Sequence, residues 1–215
     1  MSSHVETVTV AFSVASLSVA PRLTSRAARD GEVRDLLKRH LVELHHNDET
    51  VILDELGLCQ GDVRVDVAAV NGEFAGFEIK SPADTLARWP KQRRVYSKVV
   101  DRAWLVATDT TLEQAVAPPW WGLIGIIATP NHLGLRVIRP AQLNPSPDAL
   151  AIASLLWRDE AIQALDDLGL ARGIRSKPRA FVWQRLVDSV SLDSLRTTVR
   201  MALRTRSERV AQLRS

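Results

Sequence analysis

Hydrophobic and polar residues alternate along two neighbouring segments with the two-residue period of a β-strand. The segments are DVRVDVAAV (62–70) and EFAGFEIK (73–80). Between them stands Asn71-Gly72, a pair typical of the tight turn of a hairpin. The pattern therefore predicts an antiparallel hairpin with one buried and one polar face.

Alternation also predicts which side chains share a face of this hairpin. In the first strand it separates three valines from two charged residues: Val63, Val65 and Val67 from Arg64 and Asp66. In the second strand, Phe77 and Ile79 share the core face, and Glu78 and Lys80 share the opposite one.

The length of the turn decides whether Asp66 and Glu78 meet. A two-residue turn would pair Asp66 with Phe77 and place it on the wrong face. A three-residue turn ending in a left-handed Gly72, or a bulge, would bring Asp66 and Glu78 to the same face. We therefore predict an odd-length loop or a bulge.

Helices are predicted on either side of the hairpin. Upstream, valine and leucine recur at helical spacing over residues 31–46. Downstream, residues 85–100 are predicted to be helical, with Asp84 as the N-cap. Pro90 should kink this helix or restart it at Trp89, because proline lacks the backbone donor of a helix interior.

Short apolar runs after the second helix predict three more strands, at 102–107, 122–129 and 133–140. The order of elements is then helix, two or three strands, helix, strand and further strands. This order predicts an α/β or α+β core, with a central mixed β-sheet flanked by helices.

Asp66, Glu78 and Lys80 have the chemistry of metal-dependent phosphodiester hydrolysis. Two carboxylates hold a hard divalent cation through oxygen ligands, and a lysine beside them serves the attacking water. Gln92 and Tyr96 are four residues apart and project from one face of the second helix. The alternative interpretations are a solvated sheet face at Asp66 and a surface ion pair between Glu78 and Lys80.

These motifs resemble the PD-(D/E)XK nuclease superfamily, and Gln92-x-x-x-Tyr96 is similar to its RecB-like branch. More closely, the stretch from DELGLCQGDVRVDVAAVNG through FEIKSPADTLARWPKQRRVYSKVVDRAWLVA looks like a small stand-alone bacterial family within it. In layout the resemblance covers residues 30–140. It implies a restriction-endonuclease-like core.

The resemblance implies a magnesium or manganese site. Asp66 would be the bridging carboxylate and Glu78 the second ligand, with the backbone carbonyl of Ile79 beside them. An upstream acid would complete the site. Glu55 is our choice for it, and Glu43 on the first helix is the rival.

It also implies the catalytic roles of three further residues. Lys80 would orient or deprotonate the attacking water and stabilise charge developing on the phosphate. Gln92 and Tyr96 would contact the scissile phosphate or hold the lysine in place.

Basic residues are concentrated near the C-terminus. Residues 171–215 contain 11 Lys or Arg and 3 Asp or Glu, whereas the remainder contains 17 and 22. After NPSPD (144–148), four segments have the periodicity of amphipathic helices. We therefore expect an N-terminal strand or tail (1–24), a nuclease-like core (25–143) and a basic helical C-terminal module (144–215).

A basic module beside an acidic site suits a protein that holds DNA by its phosphates. The predicted contacts lie around the second helix and in the C-terminal module: Ser81, Arg88, Lys91, Arg94, Lys98, Arg175, Lys177 and Arg179. The alternative for the basic tail is a solvated face or an oligomerisation surface.

The predicted function is a metal-dependent nuclease that hydrolyses DNA through metal-activated water. The alternatives are a non-catalytic DNA-binding or regulatory protein on the same fold, and a protein-interaction module that uses the C-terminal helices. A homodimer and a recruiting protein partner both stay open. The single cysteine, Cys59, suits the reducing cytoplasm, and no apolar run approaches a membrane span.

Overall fold

The computed structural model describes residues 29–44, 50–81, 84–129 and 131–214. The predicted N-terminal strand or tail, residues 1–24, lies outside these ranges. The described part is a mixed α/β structure with one six-stranded sheet flanked by helices. None of its helices is both long and apolar enough to cross a membrane.

Helices and strands follow one another nearly in the predicted order. They are α1 (Asp30–Leu44), β1 (Val51–Leu58), β2 (Val63–Val70), β3 (Phe74–Lys80), α2 (Trp89–Val99), β4 (Arg102–Ala107), α3 (Asp109–Gln114), β5 (Gly122–Thr129), β6 (His132–Arg139), α4 (Ala149–Ala153), α5 (Arg158–Asp167), α6 (Arg179–Val187) and α7 (Leu192–Arg214).

The strands form a mixed sheet in the spatial order β1-β2-β3-β4-β5-β6. β1, β2 and β3 pair antiparallel, β3, β4 and β5 pair parallel, and β6 returns antiparallel to β5. The predicted mixed sheet is confirmed. Two or three strands were expected between the first two helices, and the structure has three, β1, β2 and β3. Helix α3 was not predicted.

The start of α2 confirms one prediction and corrects another. The helix begins at Trp89 after a short 3₁₀ turn, and Pro90 lies in its first turn, where the missing donor costs little. Asp84 is not the N-cap. Its carboxylate instead accepts hydrogen bonds from the Ser81 backbone N–H at 2.8 Å and the Ser81 hydroxyl at 2.7 Å.

Helices cover both faces of the sheet. On one face, α1 buries Val33, Leu37 and Leu41 against residues of β2 to β6, including Phe77 and Ile79. On the other face, α2 and the helices α4 to α7 share one hydrophobic cluster with the sheet. Helices α4 to α7 thus pack on the sheet, and a separate C-terminal module over residues 144–215 stays a prediction.

The β2–β3 hairpin has the predicted odd-length loop. Val70 pairs with Phe74 and Val67 with Phe77, so three residues, 71–73, form the connection. Gly72 is not left-handed, and that detail of the prediction is wrong. The loop is instead closed by Asn71, whose side-chain oxygen accepts the Glu73 backbone N–H at 2.9 Å.

The alternation of β2 breaks at Asp66, which corrects the prediction that all three valines share a face. Val65 belongs to the cluster under α2, whereas Val67 belongs to the cluster under α1. The break lies opposite Glu55, which has a left-handed φ of 53° between two regular β1–β2 pairs. A local kink in β1 therefore coincides with the change of face in β2.

Asp101 anchors α7 to the sheet. It is 4% exposed, and its Oδ2 accepts the Phe74 backbone N–H at 2.8 Å. Its two carboxylate oxygens also pair with Arg196 at 2.9 Å and Arg200 at 3.3 Å, both on α7. This buried carboxylate joins the start of β3 to the basic C-terminal helix.

Candidate functional site

A cavity of about 630 Å³ opens where β2 and β3 separate, between α1 and α2. Its wall includes nine residues predicted to act in binding or catalysis: Glu55, Asp66, Glu78, Ile79, Lys80, Ser81, Arg88, Lys91 and Gln92. It also includes Asp30 at the start of α1, which the sequence analysis missed.

Asp66 lies at the point where the regular pairing of β2 with β3 ends. Its Oδ2 accepts the backbone N–H of Ile79 at 2.8 Å, so a carboxylate takes the place of a strand partner. Burial and the charge of Glu78 raise the pKa of Asp66 to about 7, although the Ile79 N–H and Arg34 act in the opposite direction. The positive charge near the Asp66 carboxylate is therefore too small to offset its burial and the charge of Glu78.

Glu78 and Lys80 form a buried network with Gln92 of α2. The Lys80 Nζ donates to Glu78 Oε1 at 2.6 Å and to Gln92 Oε1 at 2.9 Å. The Gln92 amide closes the triangle, because its Nε2 donates to Glu78 Oε1 at 2.5 Å. Glu78 and Lys80 are only 1% and 3% exposed, so their ion pair is buried and the alternative of a surface pair is wrong.

Tyr96 holds the other oxygen of Glu78. Its hydroxyl donates to Glu78 Oε2 at 2.8 Å, and its ring packs against Gly76, where a Cβ would lie 3.2 Å from a ring carbon. Full burial raises the pKa of Tyr96 well above its ordinary value and separates the hydroxyl from the cavity. Tyr96 thus contacts Glu78 and not Lys80, the residue that it was predicted to hold, and its part in catalysis stays a prediction.

The structure distinguishes the two candidate upstream acids by their location. Glu55 lines the cavity and accepts a hydrogen bond from Arg34 at 2.6 Å. Glu43 is exposed on α1 and lines a separate shallow groove. Glu55 is thus the acid that lies near Asp66 and Glu78.

Asp30 and Arg34 are the site residues that sequence reasoning missed. Arg34 contacts Asp30 at 3.3 Å one helical turn away, and it reaches across to Glu55 and Asp66. Their i, i+4 spacing is a visible signal, but it is also the commonest pattern of a solvent-exposed helix pair. Only the packing of α1 on the sheet shows that Asp30 lines the cavity and that Arg34 contacts acids of its wall.

Three residues with a left-handed backbone conformation lie in the cavity wall or just before it in sequence. Glu55, Cys59 and Gln60 have φ values of 53°, 48° and 64°, and they are the non-glycine residues with positive φ in the described ranges. Such conformations each cost about 1–3 kcal/mol and concentrate at functional sites. The turn that contains Gln60 leads directly into Gly61 and Asp62 of the cavity wall.

The predicted DNA contacts fall into three groups. Ser81, Arg88 and Lys91 line the cavity, with Lys91 paired to Asp62. Arg94 and Lys98 are exposed on α2 but do not line it. The last group is exposed just before and at the start of α6: Arg175, Lys177 and Arg179.

Comparison with known proteins places the chain in a family. Residues 26–213 match the family model described as Bacteriophage P4 protein cII. The chain belongs to this family. No curated protein matches the P4 cII-family chain. A solved structure of a protein of unknown function from Silicibacter pomeroyi is similar, with 23% identity and a TM-score of 0.40, covering 67% of this chain and 94% of that one.

The donor atoms of this chain's cavity have the chemistry that a hard divalent cation requires. Asp66 and Glu78 supply carboxylate oxygens at the cavity, and Ile79, which directly follows Glu78, also lines it. Magnesium is typically held by one or two carboxylates and several waters, so two such ligands are sufficient. In the described ranges, no three His, Cys, Asp or Glu side chains are already gathered around one point.

The raised pKa of Asp66 predicts a pH dependence of stability in the metal-free chain. A carboxyl group whose pKa rises from 3.8 to about 7 on folding stabilises the protein at low pH. This stability is lost as pH rises from about 4 to about 7. Measured by urea unfolding with EDTA, the loss due to Asp66 should be about 1–3 kcal/mol, because the side chain keeps some exposure.

Two variants isolate this effect. Asp66→Asn stays neutral at every pH and should remove most of the fall between pH 5 and pH 7.5. Asp54→Asn, an exposed carboxylate paired with Lys38, should keep the wild-type profile. Identical profiles for wild type and Asp66→Asn would contradict the prediction.

Proposed function

We propose that this protein is a magnesium- or manganese-dependent nuclease that hydrolyses phosphodiester bonds in DNA. The proposal rests mainly on one observation: Asp66, Glu78 and Lys80 line one cavity, where β2 and β3 separate. These residues come from two strands, and Gln92 of α2 bridges the last two. The arrangement supports a restriction-endonuclease-like core of the PD-(D/E)XK kind with a RecB-like Gln-x-x-x-Tyr helix.

Each side chain has a distinct part in the proposed reaction. Asp66 and Glu78 would hold the cation, which would polarise the phosphate and lower the pKa of a bound water. Lys80 would orient the water and offset charge that develops on the phosphate. No covalent intermediate with the protein is required.

Gln92 and Tyr96 would hold Glu78 and Lys80 in a fixed arrangement. Gln92 fixes the ammonium of Lys80 relative to Glu78 by a hydrogen bond to each. Tyr96 fixes the opposite oxygen of Glu78 from the core side. Catalytic groups held by such hydrogen bonds need little reorganisation as charge develops.

DNA would be held by its backbone along the basic rim. Arg88 and Lys91 stand in the cavity wall, and Arg179 reaches the same rim through a hydrogen bond to Gln60. Arg175 and Lys177 precede it on the exposed loop before α6. Phosphate contacts of this kind predict binding that weakens steeply with salt and has little sequence preference.

One observation favours a second candidate, a DNA-binding or regulatory protein that does not cleave. Both oxygens of Glu78 are already bonded to Lys80, Gln92 and Tyr96, a network that is satisfied without a cation. Such a protein would bind DNA equally well with and without magnesium. The family description names a bacteriophage protein and states no activity.

The experiment that tests the proposal is cleavage of four DNAs by the wild-type protein. Circular and linear forms, each single- and double-stranded, are incubated with magnesium, manganese or EDTA. We expect metal-dependent products from at least one form, and the pattern separates cleavage within the strand from cleavage at ends. A parallel RNA substrate tests the preference for DNA.

The opposite result is equally specific. The nuclease proposal would be contradicted if the DNA stayed uncleaved in every reaction. Equal salt-sensitive DNA binding in magnesium and in EDTA would then favour the non-catalytic binding protein. The absence of salt-sensitive binding would direct attention to protein partners of the basic helices.

A further inference from the structure

Arg34 of α1 links three acids of the cavity wall. Its Nη1 donates to Glu55 Oε1 at 2.6 Å and to the backbone carbonyl of Asp66 at 3.3 Å. Its Nη2 lies 3.3 Å from Asp30 Oδ2 and 3.6 Å from Asp66 Oδ1. One guanidinium therefore contacts acids from α1, β1 and β2.

We propose that Arg34 is an internal counter-ion that holds Glu55 and Asp66 in the metal-free site and moves away when a divalent cation binds. This inference rests on the proposed metal-dependent function and names a determinant of cation affinity at the same site. Arg34 is a positioning residue in this scheme, since it acts through the acids that it contacts.

The charges around Arg34 support this role. When ionised, Asp30, Glu55 and Asp66 carry three negative charges against the single positive charge of Arg34, and Glu78 is balanced by Lys80. Two negative charges are left, which is the charge that one divalent cation neutralises. Arg34 itself remains charged at any relevant pH, so it competes with the cation throughout.

The distances show which contact must break. Nη1 of Arg34 donates to Glu55 and to the backbone carbonyl of Asp66, whereas the 3.6 Å separation of Nη2 from the Asp66 carboxylate is too long for a hydrogen bond. Asp66 is thus already available on its cavity side, and Glu55 has to leave Arg34 before it ligates a metal. Arg34 is 19% exposed, which gives the guanidinium a path toward solvent.

Calorimetric titration with manganese alone at pH 7.5 tests the proposal. We expect Arg34→Gln to bind manganese about tenfold more tightly than wild type, because a competing positive charge is gone. Arg34→Lys keeps the charge but loses the planar fork, so its affinity should lie in between. The matched control is Lys38→Gln, one turn along α1, whose partner Asp54 lies outside the cavity wall.

The outcomes separate this inference from the function on which it rests. Tighter binding by Arg34→Gln, with Lys38→Gln unchanged, supports the counter-ion. Equal or weaker binding by Arg34→Gln overturns it and leaves the metal site standing. Absence of manganese binding in wild type and every variant overturns both. If thermal unfolding shows that Arg34→Gln is not folded, Arg34→Lys decides by the same criterion.

Discussion

Replacing Lys80 with Met is expected to reduce DNA cleavage by roughly 100- to 10,000-fold. Methionine fills a similar volume in this 3% exposed position but cannot orient water or offset charge on the phosphate. The loss should appear in the rate of single-turnover cleavage at saturating metal. DNA binding should be nearly unchanged, because the basic rim is untouched.

Controls separate catalysis from folding in this variant. Removing Lys80 leaves Glu78 buried without its cation, which destabilises the fold by about 3–5 kcal/mol if the acid stays ionised. The double variant Glu78→Gln with Lys80→Met should recover stability but not cleavage. Lys38→Met, an exposed lysine on α1, should retain both. If Lys80→Met cleaved DNA at the wild-type rate, Lys80 would have no part in catalysis.

Replacing Asp101 with Ala is expected to lower the free energy of unfolding by about 3 kcal/mol. The change removes the acceptor of the Phe74 N–H and leaves Arg196 and Arg200 without their shared carboxylate. Both arginines can partly regain water, which keeps the loss at the lower end for a broken buried pair. Urea unfolding measures it directly.

Asp193→Ala is the matched control for this prediction. Asp193 also pairs with Arg196, at 3.5 Å, but its side chain is 93% exposed. Its removal should cost less than about 1 kcal/mol, as for other exposed pairs. Equal losses in the two variants would show that Asp101 does not anchor α7.

Much of the sheet is predictable because its strands carry strong local signals. β4 and β5 have the predicted bounds, since RAWLVA and GLIGIIAT are largely apolar runs flanked by polar residues or turns. The odd hairpin loop followed from requiring Asp66 and Glu78 to share a face. β1 was harder, because VILDELGL contains acids in mid-strand and a kink at Glu55.

Details of the site that depend on distant contacts were not predictable. The switch of β2 between faces coincides with the kink at Glu55 in its β1 partner, which alternation within one strand does not show. Asp84 looked like a cap, yet it bonds back to Ser81 because a 3₁₀ turn intervenes before α2. The contacts of Arg34 with Glu55 and Asp66 depend on how α1 packs on the sheet, which the sequence pattern of α1 does not reveal.

Whether Asp66 is a ligand in a metal-dependent nuclease site can be tested by one comparison of cleavage rates. Wild type, Asp66→Ala and Asp54→Ala are incubated with a mixture of supercoiled plasmid and linear single- and double-stranded DNA in magnesium. Asp54 is the neighbouring exposed acid, paired with Lys38 and outside the cavity wall. We expect products from wild type and Asp54→Ala and none from Asp66→Ala. Cleavage by Asp66→Ala at the wild-type rate, or intact DNA in all three reactions, would contradict it.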